Sequence, residues 1–362
     1  MLTLKACLHI AQYTGFIVGQ VTNSCLLFLI LTRAERLFGS FRHVMAVFAF
    51  YSLLYTWIEV IAQPVMHIQQ SMFIVMLDGP FQFDIATGNE VTSLYCASFA
   101  LCISLLAAQF LLSICGGLQV LLPDSLDRIK GWRLTLIFIP RLICFAAWFA
   151  CVYLGMHNTV EKQKFMRDVM LENYDADITQ ESFIASLYWT YKEDGERILR
   201  WWDIMGSSGC TFILVLCFST ILFCAFNIYY KLKSAQAIMS AKTRKLNRQL
   251  FITLTFQTLL PFFMMYCPVG TFITLPFFEV EVGQLGNYVG AAAGTYPAIE
   301  PLIAIFFIKD FRKTVLCKLY FGKIATKKNL GQRKKRKTDV KFNPSRNSAS
   351  RTSSDIPTSS FH

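Results

Sequence analysis

Three ionisable residues stand inside long apolar runs: Glu59, Arg141 and Glu300. A charge in hydrocarbon is costly, so such residues are functional candidates by default. Glu59 and Glu300 are expected to face a common polar interior, where two close carboxylates would share a proton, a cation or a water. A polar cluster that fixes helix register is the alternative reading of the same residues. Prolines recur in the apolar runs at 140, 261, 268, 297 and 301. Each removes a helix hydrogen bond and tends to kink the helix, and the later ones, Pro268 and Pro301 among them, mark natural hinges. Other chemistry is missing. Histidines at 9, 43, 67, 157 and 362 show no metal-ligand spacing. The sequence contains no phosphate-binding Gly loop, no Gly-x-Ser-x-Gly and no Ser-His-Asp arrangement. No enzyme activity, cofactor or metal is expected.

The elements around these residues follow from composition. The chain has 362 residues, 54% hydrophobic and only 16% charged, with 33 Phe. Its mean hydropathy is +0.43, yet its net charge is +12 and its pI about 9.1. A basic chain suggests nucleic acid or an anionic surface. The apolar content exceeds that of soluble domains, which argues against a nucleic-acid partner and against general disorder. Seven apolar runs are found, at 9–31, 44–65, 91–115, 134–156, 204–230, 249–275 and 283–308. At about 1.5 Å per residue each is long enough for a hydrocarbon core of about 30 Å. The first run is longer than a signal-peptide core and is read as a helix. Cys210, Cys217 and Cys224 share one face of the fifth run, where small side chains suit helix contacts.

Charge sets the expected orientation. The connectors after spans one, three and five and the segment after span seven carry +2, +1, +6 and +12. Together they reach +21, whereas the N-terminus and the other three connectors sum to −8. The positive-inside rule then puts the N-terminus outside and the C-terminus inside. The outer connector 157–203 holds Tyr188, Trp189, Tyr191, Trp201 and Trp202, which fits either a folded cap or an interfacial belt. Residues 309–321 alternate apolar and basic side chains at helical spacing, the pattern of an amphipathic helix on the inner leaflet, with Cys317 a candidate for palmitoylation. Residues 322–362 are basic and Ser/Thr-rich and are expected to be a disordered tail. The predicted fold is all-α and integral to the membrane: a seven-transmembrane helix bundle over 1–320 with a short amphipathic helix after span seven.

The string from Tyr296 to Arg312 at the end of span seven resembles the Str group of nematode seven-transmembrane chemoreceptors. So do Gln257 to Pro261, Met265 to Gly270, Ser93 to Cys96, Gln63-Pro64 and the stretch from Gln12 through Asn23 to Gly39. The resemblance covers about residues 9–320. It implies a G-protein-coupled receptor in the plasma membrane, including the cilia, of chemosensory neurons, with an odorant-like small molecule and a heterotrimeric G protein as partners. Two departures stand out. The family pattern has an Arg flanked by aromatics near the inner end of span three, where this chain has Leu111 to Cys115. The family's Asp positions in spans two and seven carry Glu59 and Glu300. The expected ligand site lies in the outer half of the bundle, with Tyr95, Phe99, Phe263 and Tyr266 as candidates. Lys242, Arg244, Lys245 and Arg248 are expected to face the G protein. A seven-helix transporter of a small solute is the competing reading, since transporters also use broken helices.

Overall fold

The computed structural model describes residues 4–33, 41–117, 138–192, 194–234 and 241–316. Cys317 and the expected tail lie outside these residues. The helices of the bundle are α1 (Leu4–Arg33), α2 (Phe41–Ala62), α3 (Ile85–Gly117), α4 (Ile139–Gly155), α6 (Trp201–Ser234), α7 (Ala241–Pro261), α8 (Cys267–Thr274) and α9 (Asn287–Phe307). A π-helical turn, Phe262–Tyr266, joins α7 to α8, and together they form span six. Six described stretches are long and apolar enough to cross a membrane. The 17-residue α4 is the seventh span. Helix α3 sits centrally and touches α2, α4, α6 and α7, while α1 packs on α2 and α9.

Small residues set these approaches. A Cβ on Gly15 would meet the backbone oxygen of Gly294 at 2.6 Å, and one on Gly155 would meet the Cα of Gly206 at 2.7 Å. Helices in lipid associate through such close van der Waals contact, because no hydrophobic force separates them from lipid. The cysteines at 210, 217 and 224 are buried on one face of α6, as their spacing predicts.

The expected boundaries shift where proline chemistry intervenes. Span two ends at Ala62 rather than 65, because Gln63 turns left-handed (φ 40°) and Pro64 opens a strand. Pro140 lies in the first turn of α4, where a missing N–H costs nothing, so it kinks no helix. Pro301 does remove a bond: the Pro297 carbonyl loses its partner four residues on. Asn23 fills the gap, its Nδ2 donating to that oxygen at 2.7 Å, beside Thr22 donating to the Ala298 oxygen at 3.0 Å. Helix 309–316 follows span seven, within the range expected for an amphipathic helix.

The connectors add structure that periodicity did not suggest. Strands β1 (Pro64–Gln69), β2 (Met72–Leu77) and β3 (Phe183–Leu187) form an antiparallel sheet in that order. Helix α5 (Val160–Tyr174) leaves α4 with an 87° bend and covers the sheet. Alternate residues point to opposite faces. Met66, Ile68, Phe73, Val75 and Ile184 join the bundle core, whereas Val65, Met72, Ile74, Phe183 and Leu187 pack with Met166 and Met170 of α5. A small hairpin of β4 (Trp189–Tyr191) and β5 (Arg197–Leu199) follows. Tyr188 and Trp189 are buried in a folded cap, while Trp201 and Trp202 are exposed at the start of α6.

Polar contacts staple the cap. The Lys162 ammonium, fully buried, binds Asp203 of α6 at 2.6 Å and the carbonyls of His157 and Ala185. Burial pushes its pKa down, and the Asp203 charge opposes that shift. Lys5 and His9 of α1 both bind Asp78 after β2, at 2.8 and 2.9 Å. His67 Nδ1 lies 3.1 Å from the Tyr174 hydroxyl, which accepts from Asn287 of α9 at 2.8 Å.

Two outcomes follow. Asn23→Ala should lower the stability of the solubilised protein by about 1 kcal/mol. The loss should shrink in a Pro301→Ala background, where residue 301 regains the N–H that serves the Pro297 carbonyl; thermal unfolding of the four proteins closes the cycle. The second outcome concerns pH. Burial holds His67 below its usual 6.5, with the Gln69 contact opposing. The groups around it are Tyr174, Gln69 and, through Gln69, the Glu281 carboxylate. The unfolded chain then binds its proton first as pH falls. This contribution is complete above pH 6.5 and is lost as pH drops below it, so His67→Gln should flatten the unfolding profile between pH 7.5 and 5.

Candidate ligand cavity beneath the sheet

An apolar cavity of about 50 Å³ lies between the sheet and the bundle. Its roof is Met66 of β1, Phe73 and Val75 of β2 and Ile184 of β3, the side chains that alternation turns inward. Its walls include Phe99 of α3, Trp148 and Val152 of α4, Met156 just after it, and Phe272 and Ile273 of α8. Cys96 and Cys210 supply thiols. A volume of this kind holds about four water-sized groups.

Beneath the cavity, Phe99 meets two tyrosines edge-on. Its ring centre is 5.5 Å from Tyr95 and 6.1 Å from Tyr55. Both tyrosines donate to one oxygen of buried Glu59, at 3.2 Å from Tyr95 and 2.6 Å from Tyr55. Phe99 and the tyrosines behind it therefore link the cavity to the carboxylate of span two. Across the bundle, a Cβ on Gly294 of α9 would lie 3.6 Å from the other Glu59 oxygen.

Span six borders the cavity with Val269, Phe272 and Ile273 of α8, just beyond its irregular segment. The Cys267 N–H reaches back five residues to the Phe262 carbonyl, between Pro261 and Pro268. Such π segments are inserted residues that a helix tolerates at a cost, and they recur at functional sites. After α8, a 3-10 turn (Leu275–Phe278) carries the chain to Glu279. The Trp189 indole donates to Glu279 at 2.5 Å, Tyr191 also donates to it, and Arg197 lies over both rings at 5.1 and 5.6 Å. These hydrogen bonds, with Arg197, hold the Glu279 carboxylate below its ordinary pKa. The hairpin is thereby latched to the end of span six.

The family model described as "Serpentine type 7TM GPCR chemoreceptor Str" matches residues 8–316. The chain belongs to the Str chemoreceptor family. It is 29% identical over 307 residues to "Serpentine receptor class r-10" of Caenorhabditis briggsae, covering 84% of this chain and 88% of that protein. The Caenorhabditis elegans protein of the same name is 28% identical over 321 residues, 88% and 91% of the two chains. "G-protein coupled receptor str-33" of Caenorhabditis elegans is 24% identical over 315 residues, 86% and 90% of the two.

In this Str family member the residues singled out from sequence separate. Phe99 lines the cavity. Tyr95 stands behind it on Glu59. Tyr266 is buried against Phe218 of α6, 5.5 Å between ring centres, outside the lining. Phe263 is 65% exposed and points out of the bundle, because the π turn shifts the face that this position presents. The two carboxylates do not pair: Glu59 binds tyrosines, while Glu300 accepts from Gln257. They lie six residues of α9 apart in effect, since Glu59 abuts Gly294. A second cavity of about 10 Å³, room for about one water, adjoins Gln257 and Gln109. Arg141 is buried near the start of α4 and donates to the Ser104 carbonyl at 3.3 Å. Arg244, Lys245 and Arg248 are exposed in the first turns of α7. The Lys242 side chain lies outside the described residues. Reading the sequence alone missed Trp148, Val152, Met156 and the whole roof. The four-residue spacing in α4 was visible, but nothing marked that face as the one under a sheet.

Phe99→Ala should destabilise the protein by about 3 kcal/mol, because it joins new void to the cavity. Phe263→Ala should stay within about 0.5 kcal/mol, since its ring faces outward. Thermal unfolding in one lipid mixture distinguishes the two.

Proposed function

We propose that this chain is a chemosensory receptor that binds a small uncharged molecule under the sheet and signals to a heterotrimeric G protein at the opposite end of the bundle. The carrying observation is the apolar cavity under the sheet, with the helix that follows the π turn of span six in its wall. A ligand there touches the sheet, spans three to five and the segment just beyond the π turn at once. Differential contact with those elements is what shifts a conformational equilibrium. Movement of span six about Pro261 and Pro268, and of span seven about Pro301, carries the change toward Arg244, Lys245 and Arg248. Lys242 belongs to the same basic segment.

In this reading the sheet lies outside and the basic end faces the cytoplasm, in keeping with the charge imbalance between the two sets of connectors. Glu59, Glu300 and Arg141 act as intramembrane polar pivots. The membrane is that of a chemosensory neuron, which family membership supports. Cys317 remains the candidate lipid anchor.

The test is a heterologous cell with a G-protein readout and a panel of volatile and water-soluble compounds. At least one should evoke a response that Ile184→Trp, which fills the cavity from its roof, weakens by 100-fold or more at equal surface level. Solute flux without a G-protein signal would favour the transporter reading. A C-terminal tag detected on intact cells would overturn the orientation and the receptor reading with it.

A further inference from the structure

Cysteine stands opposite cysteine twice along the seam between α4 and α6. The Cys151 and Cys210 thiols are in hydrogen-bonding contact, and so are those of Cys144 and Cys217. Both pairs keep the antiparallel register of Gly155 against Gly206 at the sheet end of the seam. Four residues lead from the glycines to Cys151 and Cys210, and a further seven to Cys144 and Cys217. These steps are close to whole helical turns, so the contacts line up on two facing surfaces. Small side chains account for close packing, but alanine or serine would serve that end equally well. Neither would set one sulfur against another.

The pair nearer the sheet is placed for a bond. A Cβ on Gly155 would meet the Gly206 Cα at 2.7 Å, so the two backbones all but touch one turn away. Disulfides join residues whose Cα atoms are about 4.4–6.8 Å apart, which needs such an approach. The Cys151 sulfur lies against α6 itself: a Cβ on Gly209, the neighbour of Cys210, would stand 2.5 Å from it. Both cysteines are free thiols; Cys151 is partly exposed and Cys210 is buried.

We propose that Cys151 and Cys210 are a redox-modification site, closed to a disulfide by a hydroperoxide. Cys151, the reachable thiol, attacks a peroxide oxygen. An S–O bond forms, the O–O bond breaks, and the thiol proton leaves with water (or with an alcohol, from an organic hydroperoxide). The Cys210 sulfur then attacks the sulfenic sulfur of Cys151. An S–S bond forms, the S–O bond breaks, and a water carries off the Cys210 proton. Two thiols lose two electrons and one peroxide gains them. This pair reacts because it lies one turn from the end of α4, whereas Cys144 and Cys217 lie about 10 Å deeper. In the orientation proposed above, that end faces the oxidising side of the membrane; the chemistry itself does not depend on the receptor reading.

The bond would tie the two helices that carry the sheet. Met156, just after α4, accepts from the Ala185 amide, and Asp203 of α6 accepts from the Leu187 amide. A link from Cys151 to Cys210 encloses α5, β3 and the β4–β5 hairpin in one covalent loop. Such a loop stabilises by restricting the unfolded chain.

The experiment treats the full chain in lipid nanodiscs with hydrogen peroxide or with cumene hydroperoxide, which partitions into lipid. Free thiols are then blocked, and unreduced peptides are mapped by mass spectrometry. The unsubstituted protein should lose two thiols, yield a Cys151–Cys210 peptide and unfold at a higher temperature, and dithiothreitol should reverse all three changes. Reaction with both reagents upholds the site with aqueous peroxide as a sufficient oxidant; reaction with cumene hydroperoxide alone upholds it with a lipid hydroperoxide as the source. Cys210→Ser removes the resolving thiol, so the link should vanish and dimedone should label Cys151. Cys144→Ser should leave the link as it was. Cys151 and Cys210 remaining thiols under both reagents, a Cys144–Cys217 link in place of theirs, or oxidation of Cys151 to a sulfinic acid with no link in the unsubstituted protein would each overturn the proposal. The mapping needs no variant to fold and no ligand to be known.

Discussion

Backbone groups in apolar surroundings must be paired, and this constraint shapes both ends of the cavity. An unpaired amide or carbonyl away from water costs several kcal/mol, roughly as much as a large apolar side chain contributes by burial. The sheet would present two raw edges to the bundle. Instead each edge is met by a helix end. On β1, the Met66 amide donates to Asn287 at the start of α9, and Ile68 bridges to Gly283. On β3, the amides of Phe183, Ala185 and Leu187 donate to Asn89 of α3, Met156 after α4 and Asp203 of α6. The same rule operates inside the membrane, where Asn23 serves the carbonyl that Pro301 leaves open.

These pairings make the cap part of the bundle. A sheet tied to the ends of α3, α4, α6 and α9 cannot lift as a free lid without exposing its edges. Displacement of the roof is therefore shared with those helices. Below the roof, Phe99 transmits contact to the tyrosines that hold Glu59, and Gly294 of α9 lies against that carboxylate. To the side, Glu279 links span six to the β4–β5 hairpin. The cavity has routes to spans two, six and seven although the first and last of these supply none of its lining.

The spans were legible because seven long apolar runs leave few alternatives, and charge separated their connectors. The hinges were legible as prolines, although Pro140 shows that position within a helix decides the outcome. The sheet was not legible. Its strands are buried on both faces, so Met72–Leu77 reads as one apolar run with no alternation, and Pro64–Gln69 follows directly on span two. Its turn is Gln70-Ser71, with Gln70 at φ 49°, in place of the Gly or Asn that would announce a hairpin. Without the sheet, the cavity could be guessed only as the aromatic outer half of the bundle. Of the residues it named, Phe99 lines the cavity, Tyr95 stands behind it, and Phe263 faces outward from a π turn that no residue type announces.

The cavity's small size explains why soft helices surround it. The best ligands yield at most about 1.5 kcal/mol per non-hydrogen atom, so a molecule of about four such atoms provides no more than roughly 6 kcal/mol in all. Only the part that differs between two receptor states does work. Driving an equilibrium from 1:99 to 99:1 needs about 5.5 kcal/mol of that difference, most of what such a ligand has. A rigid bundle with a deep resting state would bind the molecule and stay as it was. Stored irregularity narrows the gap. The π turn between Pro261 and Pro268 and the proline-broken α9 already lack regular hydrogen bonds, so rearranging them sacrifices fewer. The same economy favours tying the roof directly to helix ends, because a ligand this small has no energy to spare for a compliant link.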